Sequence, residues 1–251
     1  MPISWEIRDH IAEVCMDHPP VNALTVAGWF ELADVITKCG DNPDVRVVIL
    51  HAKGRGFNAG VDIKEMQNTE GFEALLGANK GCWTAFKAVY ECKVPVISAV
   101  HGFCVGGGIG LVGNSDLILA TKGAKFGLPE VDRGALGAAT HLARLVPPLK
   151  MRAMVLTCEN ATAEELHAFG SVYAVVENQE QLLEKAREVA RSIVKKLPRV
   201  VRTAKECLNN IDPVDVNRSY RFEQGFTFEL NLAGVADEAR DAFVEKRDVK
   251  S

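Results

Sequence analysis

Three short runs rich in β-branched residues constrain this chain more than any other feature: Val45-Arg-Val-Val-Ile-Leu50, Val94-Pro-Val-Ile-Ser-Ala-Val100 and Asp116-Leu-Ile-Leu-Ala120. A strand with one wet face alternates polar and apolar residues. These runs are apolar almost throughout, as strands covered on both faces are. Covering two faces takes helices, and helical patterns run over about 26–38 before the first run and about 71–92 between the first two. Two alternating stretches, Trp5–Arg8 and Ile11–Met16, flank Asp9-His10 and read as a hairpin, which Pro19-Pro20-Val21-Asn22 ends. Beyond about residue 138 the pattern is helical, over 149–157, 163–168, 179–196, 198–209, 213–233 and 236–248, with one strand expected at 171–176. The expectation is an α/β fold, with a core over 1–190 and a helical C-terminal region over 191–251.

Bulk properties remove several function classes. With 251 residues, 47% of them apolar and 25% charged, the chain can bury a sizeable core and is not of disordered composition. A formal net charge of −4 offers no general attraction to polyanions, so no nucleic-acid partner is expected. The most basic helix, with Lys185, Arg187, Arg191, Lys195 and Lys196, is interrupted by Glu184 and Glu188 and reads as a solvated amphipathic surface. Nowhere does an apolar run reach the roughly 18 residues of a membrane span. Met1-Pro-Ile-Ser-Trp-Glu6 has neither a basic nor an apolar leader segment, so the cytoplasm is the expected location, with no membrane partner. Seven cysteines (Cys15, Cys39, Cys82, Cys92, Cys104, Cys158, Cys207) are scattered without zinc-site spacing; reduced thiols and no metal are expected.

Two glycine-rich segments carry the chemistry. Gly54-Arg-Gly-Phe-Asn-Ala-Gly-Val-Asp62 follows the strand ending near Leu50, and His101-Gly-Phe-Cys-Val-Gly-Gly-Gly-Ile-Gly-Leu111 follows the one ending near Val100. Both are expected where a strand's carboxyl end gives way to a helix. There glycine lets backbone approach a ligand, and free N–H groups point outward. Each segment alone is equally well a tight turn or a close strand–helix contact. Two on successive strands can each supply one N–H to a shared oxygen, the layout of an oxyanion hole. Gly108-Ile-Gly110-Leu-Val-Gly113 also matches the dinucleotide pattern G-x-G-x-x-G, with Glu130 about 20 residues on. That pattern normally belongs to the first βαβ unit of its domain, and here earlier strands precede it, which makes dinucleotide binding the weaker reading.

Pro20-Val-Asn-Ala-Leu24, Gly54-Arg-Gly-Phe-Asn-Ala-Gly-Val-Asp-Ile-Lys-Glu-Met66, Gly106-Gly-Gly108, Phe126-Gly-Leu-Pro-Glu130 and Ala242-Phe-Val-Glu-Lys-Arg247 follow one another along nearly the whole chain. Their order and spacing resemble the crotonase (enoyl-CoA hydratase/isomerase) superfamily. The resemblance implies a spiral of ββα units, a helical C-terminal trimerisation region, and a homotrimer or homohexamer. It implies an acyl-CoA thioester bound with its carbonyl oxygen between two backbone N–H groups, those of Val61 and Gly107, which stabilise an enolate. Ala59, Asp62 and Ile63 would line the path of the CoA adenine and pantetheine. Phe243 and Lys246, from this chain or a neighbouring subunit, would close over the nucleotide end. Coenzyme A is thus expected as part of the substrate, with no permanently bound cofactor.

A conventional hydratase of that superfamily has two glutamates flanking the substrate double bond. Glu130 fills the second position, as a general base whose pKa partly apolar surroundings would raise; the first falls at Gly110. The loop after Glu130 brings in Asp132, Arg133 and His141 as candidates for support behind the base, each also readable as a solvated or packing residue. Over 55–67, 100–116 and 223–237 the chain resembles one branch, the crotonase-type hydrolases of bacterial steroid degradation, which open ring D of a bicyclic carboxyl-CoA. That implies water, deprotonated by Glu130, attacking a ring ketone, with Gly110 leaving room for the fused ring. Two alternatives stand beside it. One is an enoyl-CoA hydratase or isomerase acting on fatty or aromatic acyl-CoA, since an isomerase also manages with one carboxylate. The other is a non-catalytic acyl-CoA-binding protein. The helix over 71–92 is expected to wall the pocket through Leu75, Leu76, Trp83 and Phe86, which at helical spacing read equally as core.

Overall fold

The computed structural model describes residues 2–69 and 71–249. Its strands, in chain order, are β1 (Ile3–Arg8), β2 (Ile11–Met16), β3 (Val47–Ala52), β4 (Val96–Val100), β5 (Phe103–Val105), β6 (Leu117–Thr121), β7 (Lys125–Gly127), β8 (Ala161–Thr162) and β9 (Ala174–Val176). Six of them form a sheet in the order β1-β2-β3-β4-β6-β9, antiparallel only at the β1–β2 hairpin and parallel from β2 onward. The register sets Ile3 opposite Met16, Val48 opposite Val96 and Ala99 opposite Leu119. The remaining three form a small second sheet, β5-β7-β8. Each of β4 and β6 lies in the large sheet and is followed by a strand in the small one, so the chain winds between two layers in ββα fashion.

The helices are α1 (Val26–Asp41), α2 (Ile63–Asn68), α3 (Glu73–Tyr90), α4 (Gly107–Val112), α5 (Ala139–Leu142), α6 (Pro148–Thr157), α7 (Ala163–Ala168), α8 (Gln179–Val194), α9 (Pro198–Ile211), α10 (Val216–Leu232) and α11 (Val235–Glu245). Successive residues of the central strands face opposite cores, which is why those strands are apolar throughout. Ile11, Val47, Ile49, Ile97 and Leu119 pack against Leu182, Ala186, Val189 and Ala190 of α8, a helix that spans residue 190. Val14, Met16, Val48, Leu50, Val96 and Val100 point the other way, into the larger core with Trp29, Leu32 and Ile36 of α1 and Phe86 and Val89 of α3. At the start of α1 the Thr25 hydroxyl accepts from Gly28 N at 3.1 Å, and Glu65 accepts from Val26 N at 2.7 Å.

Two expectations need correction. The second glycine-rich segment does not run from β4 straight into a helix: β5 intervenes, and α4 begins only at Gly107. The strand foreseen over 171–176 is shorter, Ala174–Val176.

In the C-terminal part, α9 is fastened by cations. Lys205, 3% exposed, donates to Asp116 at 2.7 Å and to the carbonyls of Val89 and Val94 at 3.2 and 3.3 Å. Arg202 donates to the carbonyls of Gly40 and Val45 at 3.1 and 3.2 Å. Then α11 folds back: its Ala236 lies against Gly134, and its Asp241 accepts from Gln67 of α2 at 3.4 Å. Among the described residues no helix is long and apolar enough to cross a membrane.

Candidate active site

Two buried asparagines shape the first glycine loop. Asn22 accepts from His18 N at 2.7 Å and donates to the carbonyls of Lys53 and Gly56, each at 2.8 Å. Asn58, fully buried, donates to Asn22 O at 2.7 Å and accepts from Gly60 N at 2.8 Å, while its own carbonyl accepts from Val105 N at 2.9 Å. The loop is thereby tied to β5 on one side and to the 19–22 turn on the other. A further clamp flanks Val61: Leu24 N donates to Gly60 O at 2.9 Å, and Asp62 N to Leu24 O at 3.0 Å. These bonds use the amides on either side of Val61 and leave its own N–H outside the pairing.

The second turn meets the first edge to edge. Gly106 has φ 59° and ψ −125°, a region effectively reserved for glycine, and its N–H is tied to Gly127 O at 3.0 Å. Gly107 opens α4, so its N–H has no intrahelical partner. A Cβ on Gly60, itself at φ 87°, would stand 3.0 Å from Gly107 N. Folding thus brings Val61 and Gly107 to one place, each with an N–H unclaimed by backbone among the described residues.

Glu130 stands over that junction: a Cβ on Gly106 would lie 3.0 Å from Glu130 Oε1. Its other oxygen is buried with no hydrogen-bond partner among the described residues. Burial pushes the Glu130 carboxyl up to about 8, opposed by its own backbone N–H and by the Arg133 guanidinium and helped last by the Glu223 carboxylate. Glu223, from α10, is itself fully engaged, accepting from Ala139 N, Thr140 N and Thr140 Oγ1 at 2.8, 3.1 and 3.0 Å, where it caps α5. Two free amides and one desolvated carboxylate able to exchange a proton near neutral pH together suit enolate chemistry at a carbonyl.

The sequence matches the enoyl-CoA hydratase/isomerase family over residues 6–250. The chain belongs to that family. It is 65% identical over 237 residues to a (7aS)-7a-methyl-1,5-dioxo-2,3,5,6,7,7a-hexahydro-1H-indene-carboxyl-CoA hydrolase of Rhodococcus jostii, covering 94% of this chain and 92% of the relative. A Mycobacterium tuberculosis hydrolase of the same name is 65% identical over 247 residues, 98% of this chain and all (100%) of the relative. Among solved structures, an enoyl-CoA hydratase from Mycobacterium avium subsp. paratuberculosis superposes with a TM-score of 0.88 at 22% identity, covering 100% of this chain and 98% of that one, which speaks to the fold alone.

Within this family member, the place of the first glutamate is filled in an unforeseen way. Gly110 does not open space for substrate. A Cβ there would fall inside 3.0 Å of three carbons of the Phe86 ring, so the ring of α3 lies directly on the bare backbone of α4. Phe86 is held by Trp29, His141 and Tyr220 at centroid distances of 5.6, 5.0 and 5.2 Å. Gly108 is pressed against Asn58 O and Gly113 against His141, at notional Cβ distances of 2.9 and 2.6 Å. The three glycines of the dinucleotide-like pattern are packing contacts, which removes that reading.

The other expected site residues fall in different surroundings. Asp62 is the N-cap of α2, accepting from Lys64 N at 2.9 Å, with Ala59 and Ile63 half-buried on either side. His141 is 2% exposed between Phe86 and Tyr220, and burial pushes its imidazole down to about 3, so it is a neutral aromatic of the core. Asp132 is exposed, on the outside of the 3-10 turn Val131–Arg133. Phe243 lies in this same chain against Arg133, whose guanidinium carbon is 4.1 Å from its ring centre; Lys246 is exposed at the end of α11. Of the pocket-wall candidates, Leu75 and Phe86 are buried, Trp83 is half-buried and Leu76 is exposed.

Proposed function

We propose that this chain is a ring-opening CoA thioester hydrolase, acting on a methyl-dioxo-hexahydroindene carboxyl-CoA of the kind named for its two 65%-identical relatives. The observation that carries the mechanism is the Glu130 carboxylate, one oxygen of which has no partner among the described residues, beside two backbone N–H groups unclaimed among those residues, with an aromatic ring where a second carboxylate would stand. A concerted two-glutamate hydration has no second partner there. A hydrolysis needs only one base.

A substrate of that description has ketones at C1 and C5 and, by the hydrogens its name assigns, a double bond between C3a and C4. Glu130 takes a proton from water as the water oxygen bonds to C1. The C1–C7a bond then breaks, and its electron pair passes through the C3a–C4 double bond toward the C5 ketone and, with the carboxyl-CoA carried on C4, the thioester oxygen. The Val61 and Gly107 amides meet that charge as it forms; one such donor is typically worth about 3–4 kcal/mol of barrier. Glu130 returns its proton to C7a, and C1, still tethered through C2 and C3, becomes a carboxylic acid. Water is consumed and the thioester is retained.

On the same reading, Ala59, Asp62 and Ile63 border the CoA path and Lys246 lies toward its nucleotide end, while Phe243 packs on Arg133 instead. Coenzyme A enters as part of the substrate, and no resident cofactor is assigned. The exposed apolar residues Leu208, Ile211, Phe222 and Phe226, at 60, 70, 71 and 41% exposure, support burial of the region over 191–251 in a homotrimer or homohexamer. The seven free cysteines support a reducing, cytoplasmic setting.

The test is turnover by mass spectrometry, with the bicyclic thioester and crotonyl-CoA offered side by side. Gain of one water together with a new carboxylate, and negligible crotonyl-CoA hydration, is the expected result. Rapid hydration of crotonyl-CoA without ring opening overturns the proposal.

A further inference from the structure

Arg133 has no task in the scheme above, yet its setting is unusual for a cation. It closes the 3-10 turn that starts behind Glu130, and three residues per turn sets the side chains of 130 and 133 on one face. Exposure agrees: Val131 and Asp132 are exposed, Glu130 and Arg133 half-buried. One Nη donates to Pro129 O at 3.3 Å, and Nε is buried with no partner among the described residues. The guanidinium lies over the Phe243 ring at 4.1 Å. Glu130 and Asp132 act on it electrostatically, but among the described residues it makes no ion pair.

A half-buried cation without a counter-ion is costly to maintain. The planar fork of a guanidinium matches a carboxylate, which accepts two parallel N–H bonds. The ring-opening reaction makes such a group beside Glu130. As water bonds to C1, the carbonyl pair becomes an alkoxide; as C1–C7a breaks, that pair returns and C1 becomes a carboxylic acid, whose proton goes to solvent. We propose that Arg133, backed by Phe243, receives the oxygens of C1, first as alkoxide and then as carboxylate. This rests on the ring-opening reading of the site. A neutral ketone gives the guanidinium less to bind than either anion, so the contact favours the reacting species over the ground state. It also tells the ring-opened product from any neutral acyl-CoA of similar size.

The test compares the ring-opened CoA thioester with its methyl ester at the new carboxylate, each titrated calorimetrically into wild type, Arg133→Gln and Arg133→Lys. Wild type should bind the acid at least tenfold more tightly than the ester. Arg133→Gln should abolish the difference, and Arg133→Lys, which keeps the charge without the fork, should retain part of it. Equal binding of acid and ester by wild type overturns the inference and needs no variant. So does a loss in Arg133→Gln that is the same for acid, ester and free coenzyme A, the pattern of a phosphate contact. Ring opening is assayed on the same wild-type preparation. No turnover of the bicyclic thioester sinks the functional reading, whereas turnover without preference for the acid sinks only the role of Arg133.

Discussion

Gly110→Ala is the substitution whose outcome the packing fixes most sharply. In an unobstructed helix interior, glycine to alanine stabilises by about 1 kcal/mol. Here the new methyl lands on the Phe86 ring, inside 3.0 Å of three of its carbons. Ordinary carbon–carbon contact needs about 3.5–4.0 Å, so the ring must retreat by roughly 1 Å or more. It has nowhere to go, with Trp29, His141 and Tyr220 around it. Overpacking of this sort costs about 1–3 kcal/mol, so a net loss of up to about 2 kcal/mol is expected after the helix gain is set against it. Phe86→Ala alone should cost about 3–5 kcal/mol. In that background the obstruction is gone, and Gly110→Ala should then stabilise by about 1 kcal/mol. The two sites are therefore coupled by about 1–3 kcal/mol, measurable as a double-mutant cycle. Urea denaturation followed by tryptophan fluorescence is a suitable assay, since Trp29 belongs to the cluster. If Gly110→Ala stabilises the wild type, or shifts both backgrounds equally, Phe86 does not occupy the space over Gly110. The same packing means that Gly110→Glu on its own should disrupt folding rather than create a hydratase.

Glu130→Gln should lower ring opening by about 10²–10⁴-fold while coenzyme A affinity by calorimetry stays within a few-fold; unchanged turnover would remove Glu130 from the role of base. Because burial favours the neutral carboxyl, kcat/KM should rise with pH through about 8, and an acidic limb near the ordinary carboxylate value would contradict the desolvated setting. The folded-state pKa lies above the ordinary value of 4.5, so the contribution of Glu130 to stability is greatest below pH 4.5 and is lost as pH rises through about 8. Urea midpoints of wild type relative to Glu130→Gln should fall across that window. Gly107→Val places its Cβ 2.8 Å from Trp29 and bulk at the amide junction. It should reduce kcat by about 10²–10³-fold, the typical value of one lost donor, and a folded variant with full activity would refute the amide assignment.

The parts of the fold legible in the sequence are those whose signal is local and long enough to show a period. The runs at 45–50, 94–100 and 116–120 became β3, β4 and β6, and α7 falls on residues 163–168 as expected. Strands of two or three residues, β5, β7 and β8, have no readable period, and with them the second sheet was invisible. The short α2 begins where the first glycine segment was expected to give way to a helix, but its six residues are too few to show its length. At the site, the glycine turns were legible because glycine marks backbone that must come close. The pressure of Phe86 on Gly110 was not, since it depends on how α3 lies across α4. Asn22 and Asn58 read as ordinary turn residues, and nothing local distinguishes a solvated asparagine from one whose amide holds two loops together. The neighbourhood of Arg133 and Phe243 was hidden likewise, because it joins positions 110 residues apart.

The contact between Gly60 and Gly107 bears on how such a protein can change over generations. On the proposed assignment its electrophilic groups are main-chain amides, so most codon changes at Val61 alter a side chain and leave the working N–H in place. What the site tolerates poorly is a change of chain length: one residue inserted or lost between Asn58 and Val61, or between Val105 and Gly107, slides the amide away from its mate. Reading-frame-preserving insertions there should be depleted in any functional library, while substitutions at Val61 survive. A scaffold with that asymmetry can exchange the side chains around its acyl group, and so its reaction, without first losing the apparatus that holds the thioester.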